Sequence, residues 1–107
     1  MNADQNHCHA WRNDAAKNFA ALSHPARIAI LLQLSERACC CKDVVQRLDL
    51  AQSTVSQHLQ VLVKAGLVRF STDRHRSTYE VDPAALRALA DAAASLAKSC
   101  CRQESSN

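Results

Sequence analysis

The stretch from Asp43 to Phe70, DVVQRLDLAQSTVSQHLQVLVKAGLVRF, constrains this chain more than any other part of it. Its apolar residues fall into two helical registers with a polar break between them. Val44, Val45 and Leu48 share one face of a first helix, and Val55, Leu59 and Leu62 share one face of a second. Asp49 stands in the break, and Asp tolerates the left-handed backbone of a tight turn better than most residues. Gly66, the single glycine of the chain, stands where the second helix needs a left-handed cap. The spacing predicts helices from about Cys41 to Leu48 and from about Gln52 to Ala65. Two β-like runs follow, Leu67 to Ser71 and Ser77 to Val81, around a charged tip from Thr72 to Arg76.

The flanks are helical. An amphipathic helix is expected to start near Trp11 or Asp14, to carry Ala15, Phe19 and Leu22, and to stop at Ser23-His24-Pro25. Pro25 suits the first turn of a second helix running to about Leu34. The apolar residues of that helix, Ile28, Ile30, Leu31 and Leu32, cover more than one stripe, so it is expected to be central and buried. Pro83 opens a last helix on which Leu86, Leu89, Ala90, Ala93, Leu96, Ala97 and Cys100 form one stripe. Residues 1–10 and 102–107 are polar and are expected to be a mobile arm and a mobile tail. The expected architecture is mainly α with a small β-hairpin, a winged helix-turn-helix.

At 107 residues the chain is one domain, too short to cover all its apolar surface, and a homodimer would cover more. Lys42, Arg47, Lys64, Arg69, Arg74 and Arg76 stand against Asp43, Asp49 and Asp73, so the segment from 42 to 76 carries the whole net charge of +3. A basic stripe there fits nucleic acid. No apolar run is long enough to span a membrane and no signal peptide opens the chain, so a cytoplasmic protein is expected. There its six cysteines would be reduced thiols, which favours metal or redox chemistry over a disulfide framework.

A helix that reads the major groove needs small and polar side chains on its outward face. Ser53, Gln57 and Gln60 supply that face, with Gln52, Thr54 and Ser56 at its shoulders. Gln can bond an adenine edge twice, and Ser and Thr can serve bases or phosphates. Lys64 and Lys42 fit backbone clamps, and Arg74, His75 and Arg76 at the hairpin tip can reach phosphates or the adjacent minor groove. The plain alternative is an ordinary solvated helix face. His58 falls toward the packed side, one turn after Val55, and reads as a half-buried helix residue.

Two segments carry a family resemblance. ALSHPARIAILLQL from Ala21 to Leu34 and STVSQHLQVLVKAGLV from Ser53 to Val68 resemble the ArsR/SmtB family of winged-helix repressors, over roughly Phe19 to Val81. The resemblance implies a homodimer on double-stranded operator DNA that leaves it when a toxic metal or metalloid binds. It also implies recognition by Gln52, Ser53, Thr54, Ser56, Gln57 and His58, so it differs from the physical reading only over His58. This chain departs from the family pattern in two places. Ala51 stands where a capping Ser is usual, and the hairpin tip has no glycine.

Thiolates select soft ions: Cu(I), Zn(II), Cd(II), Pb(II), and by the same softness As(III) and Sb(III). Cys39, Cys40 and Cys41 lie at or just before a helix N-terminus, a position expected to lower a thiol's pKa. Core packing is a poor account of three consecutive cysteines, because successive helix positions point about 100° apart. The resemblance implies an arsenic-type box, Cys-x-Cys-Asp, here. Counted back from Asp43, its first cysteine is Cys40 and its second falls on Lys42, which leaves Cys39 and Cys41 to substitute. Cys100 and Cys101, a pair some arsenic-responsive relatives carry, are a second or rival site, although Cys100 equally reads as dimer packing. Cys8, between His7 and His9, is an arm cysteine of the kind that Cd(II)- and Pb(II)-sensing relatives recruit, or part of an arm without function. The last helix has Asp82 and Asp91 but no His, so the zinc site of other relatives is not expected.

The leading expectation is a repressor released by As(III) or Sb(III). A Cd(II)- or Pb(II)-responsive repressor and a redox or persulfide sensor are alternatives on the same fold. With no C-x-x-C motif, a thiol-disulfide enzyme is not expected. A plain architectural DNA binder would leave six cysteines without purpose.

Overall fold

The computed structural model describes the backbone of residues 2–105 and the side chains of residues 11–101. Five helices and one hairpin follow in the order α1 (Asn2–Ala21), α2 (Pro25–Glu36), α3 (Cys41–Leu48), α4 (Gln52–Lys64), β1 (Val68–Asp73), β2 (Arg76–Val81) and α5 (Pro83–Ser105). α1 thus begins well before Trp11, and the sequence-based expectation of a later start is corrected. No helix among the described residues is long and apolar enough to cross a membrane.

The helix-turn-helix forms as its spacing dictates. Asp49 ends α3 in the left-handed region, at φ 55° and ψ 45°, and its N–H bonds the Val45 carbonyl at 3.0 Å. α4 then buries Val55, Leu59 and Leu62 completely. Its exit is a Schellman motif. Leu67 N–H bonds the Leu62 carbonyl, Gly66 N–H bonds the Val63 carbonyl, and Gly66 sits at φ 82°. Ala51, at the N-cap, makes no side-chain cap bond.

β1 and β2 pair antiparallel from Val68 opposite Val81 to Asp73 opposite Arg76. The tip is therefore only Arg74 and His75, narrower than the expected charged loop, because the ladder continues to its last pair. Arg74 takes the left-handed role a glycine would fill, at φ 57°. Val68, Leu67, Val44 and Ile30 close the core around α4. Asp82 caps α5, its Oδ1 accepting from Ala84 N–H at 3.1 Å and Ala85 N–H at 3.3 Å.

Two burial expectations change. α2 buries Ile30, Leu31 and Leu34, but Ile28 and Leu32 are 47% and 64% exposed. α3, α4 and β2 pack on the buried side of α2. The stripe of α5 is likewise split. Leu89 and Ala92 are buried, Leu89 beside Trp11 and Ala15 of α1, while Ala93, Leu96, Ala97 and Cys100 stay exposed.

The missing cap at α4 gives a direct test. Ala51→Ser should raise unfolding stability by about 0.5–2 kcal/mol, read as an increased urea midpoint at unchanged slope. No gain would mean that the Ala51 backbone does not hold a capping geometry.

Candidate DNA-reading surface and thiol cluster

With its inner stripe buried, α4 turns Gln52, Ser53, Gln57, Gln60 and Lys64 outward, all exposed, with Thr54 and Ser56 half-buried at the shoulders. Gln60 and Lys64 share the wall of one surface depression with Phe70 and Tyr79 of the hairpin, so the two elements meet. Arg74, His75 and Arg76 are exposed at the hairpin end. The outward side of α4 and the hairpin therefore adjoin at Gln60 and Lys64.

His58 is not on it. Its side chain is buried, and its Nδ1 accepts a hydrogen bond from Arg27 Nε at 3.2 Å. Its ring lies 4.5 Å from that of His24, centroid to centroid. Burial first, then the neighbours His24 and Arg27, push His58 below its ordinary value of 6.5. The orientation is that of the packed helix residue; the recognition role implied by the resemblance does not fit a side chain held this way.

The three cysteines of the junction divide. Cys39 and Cys40 precede α3 in non-helical backbone, and only Cys41 is helical. Cys39 is therefore free to point inward, is 3% exposed, and belongs to the core. Its Sγ donates to the Arg37 carbonyl at 3.3 Å. Packing thus explains one member of the triplet, contrary to the argument from helical spacing. Cys39 also pairs with β2: its N–H bonds the Tyr79 carbonyl at 3.1 Å, and Tyr79 N–H bonds its carbonyl at 2.8 Å.

Cys40 is the N-cap of α3 without a side-chain bond, and Cys41 is the first helical residue; both are half-buried. Burial first, and then Cys40 beside it, push the Cys41 thiol above its ordinary value of 9.0. At Cys41 both of these influences act against the lowering expected from the helix N-terminus. Burial also raises the Tyr79 hydroxyl, with Cys41 adding to it. The Tyr79 ring packs against Phe70 in a tilted pair, 4.9 Å between centroids.

Among the described residues no three His, Cys, Asp or Glu side chains converge as a ready metal cage. Cys40 and Cys41 fit a soft ion as two accessible thiols, and Cys39 would have to leave the core to join them. Cys100 and Cys101 are exposed near the end of α5, far along the chain from the triplet. Cys8 lies outside the residues whose side chains are described.

Sequence reasoning passed over Tyr79 and Arg27. Tyr79 is the only tyrosine and lies in a β-like run, but nothing local marks it as the partner of Cys39. Arg27 and His58 are 31 residues apart, and no periodicity joins them.

The profile described as "Bacterial regulatory protein, arsR family" matches residues 24–69. The HTH-type transcriptional repressor SmtB of Mycobacterium tuberculosis is 46% identical over 54 residues, which are 50% of this chain and 40% of the repressor's length. An uncharacterized HTH-type transcriptional regulator of Bacillus subtilis, YbzH, is 31% identical over 88 residues, 68% of this chain and 88% of YbzH. An ArsR-like transcriptional regulator from Rhodococcus sp. RHA1 superposes with a TM-score of 0.82 at 24% identity, covering 89% of this chain and 90% of its own. The homodimeric winged helix-turn-helix DNA-binding domain of Mb0332 from Mycobacterium bovis superposes with a TM-score of 0.70 at 22% identity, covering 84% of each chain. At those two identities the likeness concerns the fold. Profile, near full-length relative and fold agree, and the chain belongs to the ArsR/SmtB family of winged helix-turn-helix transcriptional regulators.

Proposed function

We propose that this protein is a homodimeric repressor that binds double-stranded operator DNA and is released by As(III) or Sb(III). The observation that carries the proposal is the place of the thiols. Cys40 and Cys41 begin the helix that supports α4, and their neighbour Cys39 is hydrogen-bonded to the hairpin. An ion gathering these thiols acts on both DNA-facing elements at once.

Gln57 and Gln60 are the proposed base readers, with Gln52, Ser53, Thr54 and Ser56 beside them. Lys64, Arg74, His75 and Arg76 contact phosphates or the minor groove. With no side chain capping α4, its first N–H groups remain available to a phosphate oxygen. A related repressor named SmtB supports the repressor reading. Gln57→Ala should weaken binding to a duplex enriched from a random library by about 1–3 kcal/mol while leaving random DNA unaffected. Arg76→Ala should weaken both and flatten the salt slope. Equal losses for Gln57→Ala on the two DNAs would remove it from base reading.

The dimer is proposed at α1 and α5. Trp11, Phe19 and Leu96 are 42%, 41% and 54% exposed, and a groove between the helices is lined by all three. A second copy would cover them, and the Mb0332 domain, which shares the fold, is homodimeric. Leu96→Asp should give monomers in sedimentation, since a charge would otherwise be buried unpaired. Leu89→Asp is the contrasting case: Leu89 is buried within the protomer, so its loss should lower stability first. A Leu96→Asp dimer would place the interface elsewhere.

The raised Cys41 thiol bears on the choice of ion. Arsenite enters as As(OH)3 + 3 RSH → As(SR)3 + 3 H2O, so each thiol proton leaves on a hydroxide that the arsenic supplies. Cd(II) and Pb(II) bring no base, and must displace protons into solution. A thiol held above 9.0 therefore penalises the divalent ions more. It also slows oxidation, because the thiolate is the nucleophile. As(III) should release the wild-type protein from the enriched duplex. Cys40→Ser and Cys41→Ser should abolish release, and the Cys100→Ser, Cys101→Ser double variant should keep it. Cd(II) affinity should fall steeply as pH is lowered, and As(III) affinity much less. Release lost in the double variant and kept in Cys40→Ser would move the sensor to α5, with a third thiol from Cys8 or the partner.

A further inference from the structure

Arg27 makes contacts that neither the reading face nor the thiols require. Its Nε donates to His58 Nδ1 at 3.2 Å, and its Nη1 reaches the carbonyls of Ala20 and Ala21 at 3.4 Å each. Those carbonyls end α1; Ala20 O also accepts from Ser23 N–H at 3.0 Å and Ser23 Oγ at 2.6 Å, whereas Arg27 is the donor that Ala21 O receives. One guanidinium on the first turn of α2 therefore joins the C-terminus of α1 to the buried side of α4. We propose that Arg27 is a positioning residue for DNA reading: through His58 it sets α4 against the end of α1. The inference rests on the reading of α4 as the recognition helix.

Three physical points support it. His58 directly follows Gln57 on α4, about 100° round the helix. Fixing the inward imidazole thus fixes the rotation that aims the outward amide. Second, α1 packs on α5, so the link ties α4 to the pair of helices proposed to form the dimer. The spacing of two recognition helices along DNA depends on that relation. Third, Arg can only donate, so the bond requires an unprotonated Nδ1 on His58.

The link is therefore sensitive to pH. The groups facing His58 are His24 from the α1–α2 connection and Arg27 from α2, and no carboxylate figures among them. Protonation removes the acceptor and sets a cation beside a guanidinium. Because the folded protein holds His58 below 6.5, the contribution of the link is complete above that value. It is lost as pH falls from 6.5 through the lower folded value.

The test compares full-length wild type, His58→Gln and Arg27→Lys on a duplex enriched from a random library at neutral pH. Gln offers Arg27 an acceptor that does not titrate. From about one unit above 6.5 to about two units below it, so that the lowered folded value is crossed, wild-type affinity should fall about tenfold, and that of His58→Gln less than about twofold. Arg27→Lys keeps the charge but cannot span three acceptors, and should bind weakly at both ends of the range. A wild-type pH profile in His58→Gln, or wild-type binding in Arg27→Lys, would overturn the proposal. Failure to enrich any duplex would instead count against DNA reading itself. The link is then still decided by NMR: the amides of Ala20, Ala21 and α4 should shift together with the His58 titration in wild type, and stay still in His58→Gln. Amides of Ala20 and Ala21 that ignore the titration would sink the proposal independently of DNA.

Discussion

The inner stripe of α4 is the constraint on which the rest depends. Val55, Leu59 and Leu62 are fully excluded from solvent, and α2, α3 and β1 all pack onto α4. Each such side chain contributes about 1.5–3 kcal/mol on burial, whereas the missing side-chain cap at Ala51 costs about 1 kcal/mol. The stripe wins, and the helix forms in spite of its start. Its rotation is then no longer free. With one face dry, Ser53, Gln57, Gln60 and Lys64 face outward, and the polar outer surface of the helix is a consequence of core packing.

The second determinant is the pair of backbone bonds between Cys39 and Tyr79. They hold the α2–α3 connection against the hairpin and put the tilted ring pair of Tyr79 and Phe70 beside the end of α4. The same bonds separate the cysteines by role. Cys39 is a small hydrophobic member of the core, while Cys40 and Cys41 stay at the rim. A thiol ligand at this junction therefore meets an element that is already bonded to the hairpin.

The apolar face left open on α1, α2 and α5 is the counterpart of a small core. Leu32 at 64% exposure and Leu96 at 54% are large side chains facing water on two elements. Burial assigned by periodicity alone overstated what one chain covers, because periodicity identifies an apolar face and not its partner. Leu89 and Leu96 share that face, and only packing separates them. Leu89 meets α1 within the protomer, whereas Leu96 remains exposed.

Sequence alone determined the order of elements, the helix-turn-helix with Asp49 in its turn, the Gly66 cap and the outward polar set of α4. All of these are written in spacings of a few residues, within reach of local backbone and side-chain preferences. The wider fold decided the rest. It placed Cys39 in the core, because extended backbone before α3 releases it from helical geometry. It turned His58 inward onto Arg27, and it raised the Cys41 thiol where a helix N-terminus alone would lower it. Burial and charge at these positions come from segments distant in the chain, and no local pattern carries that information.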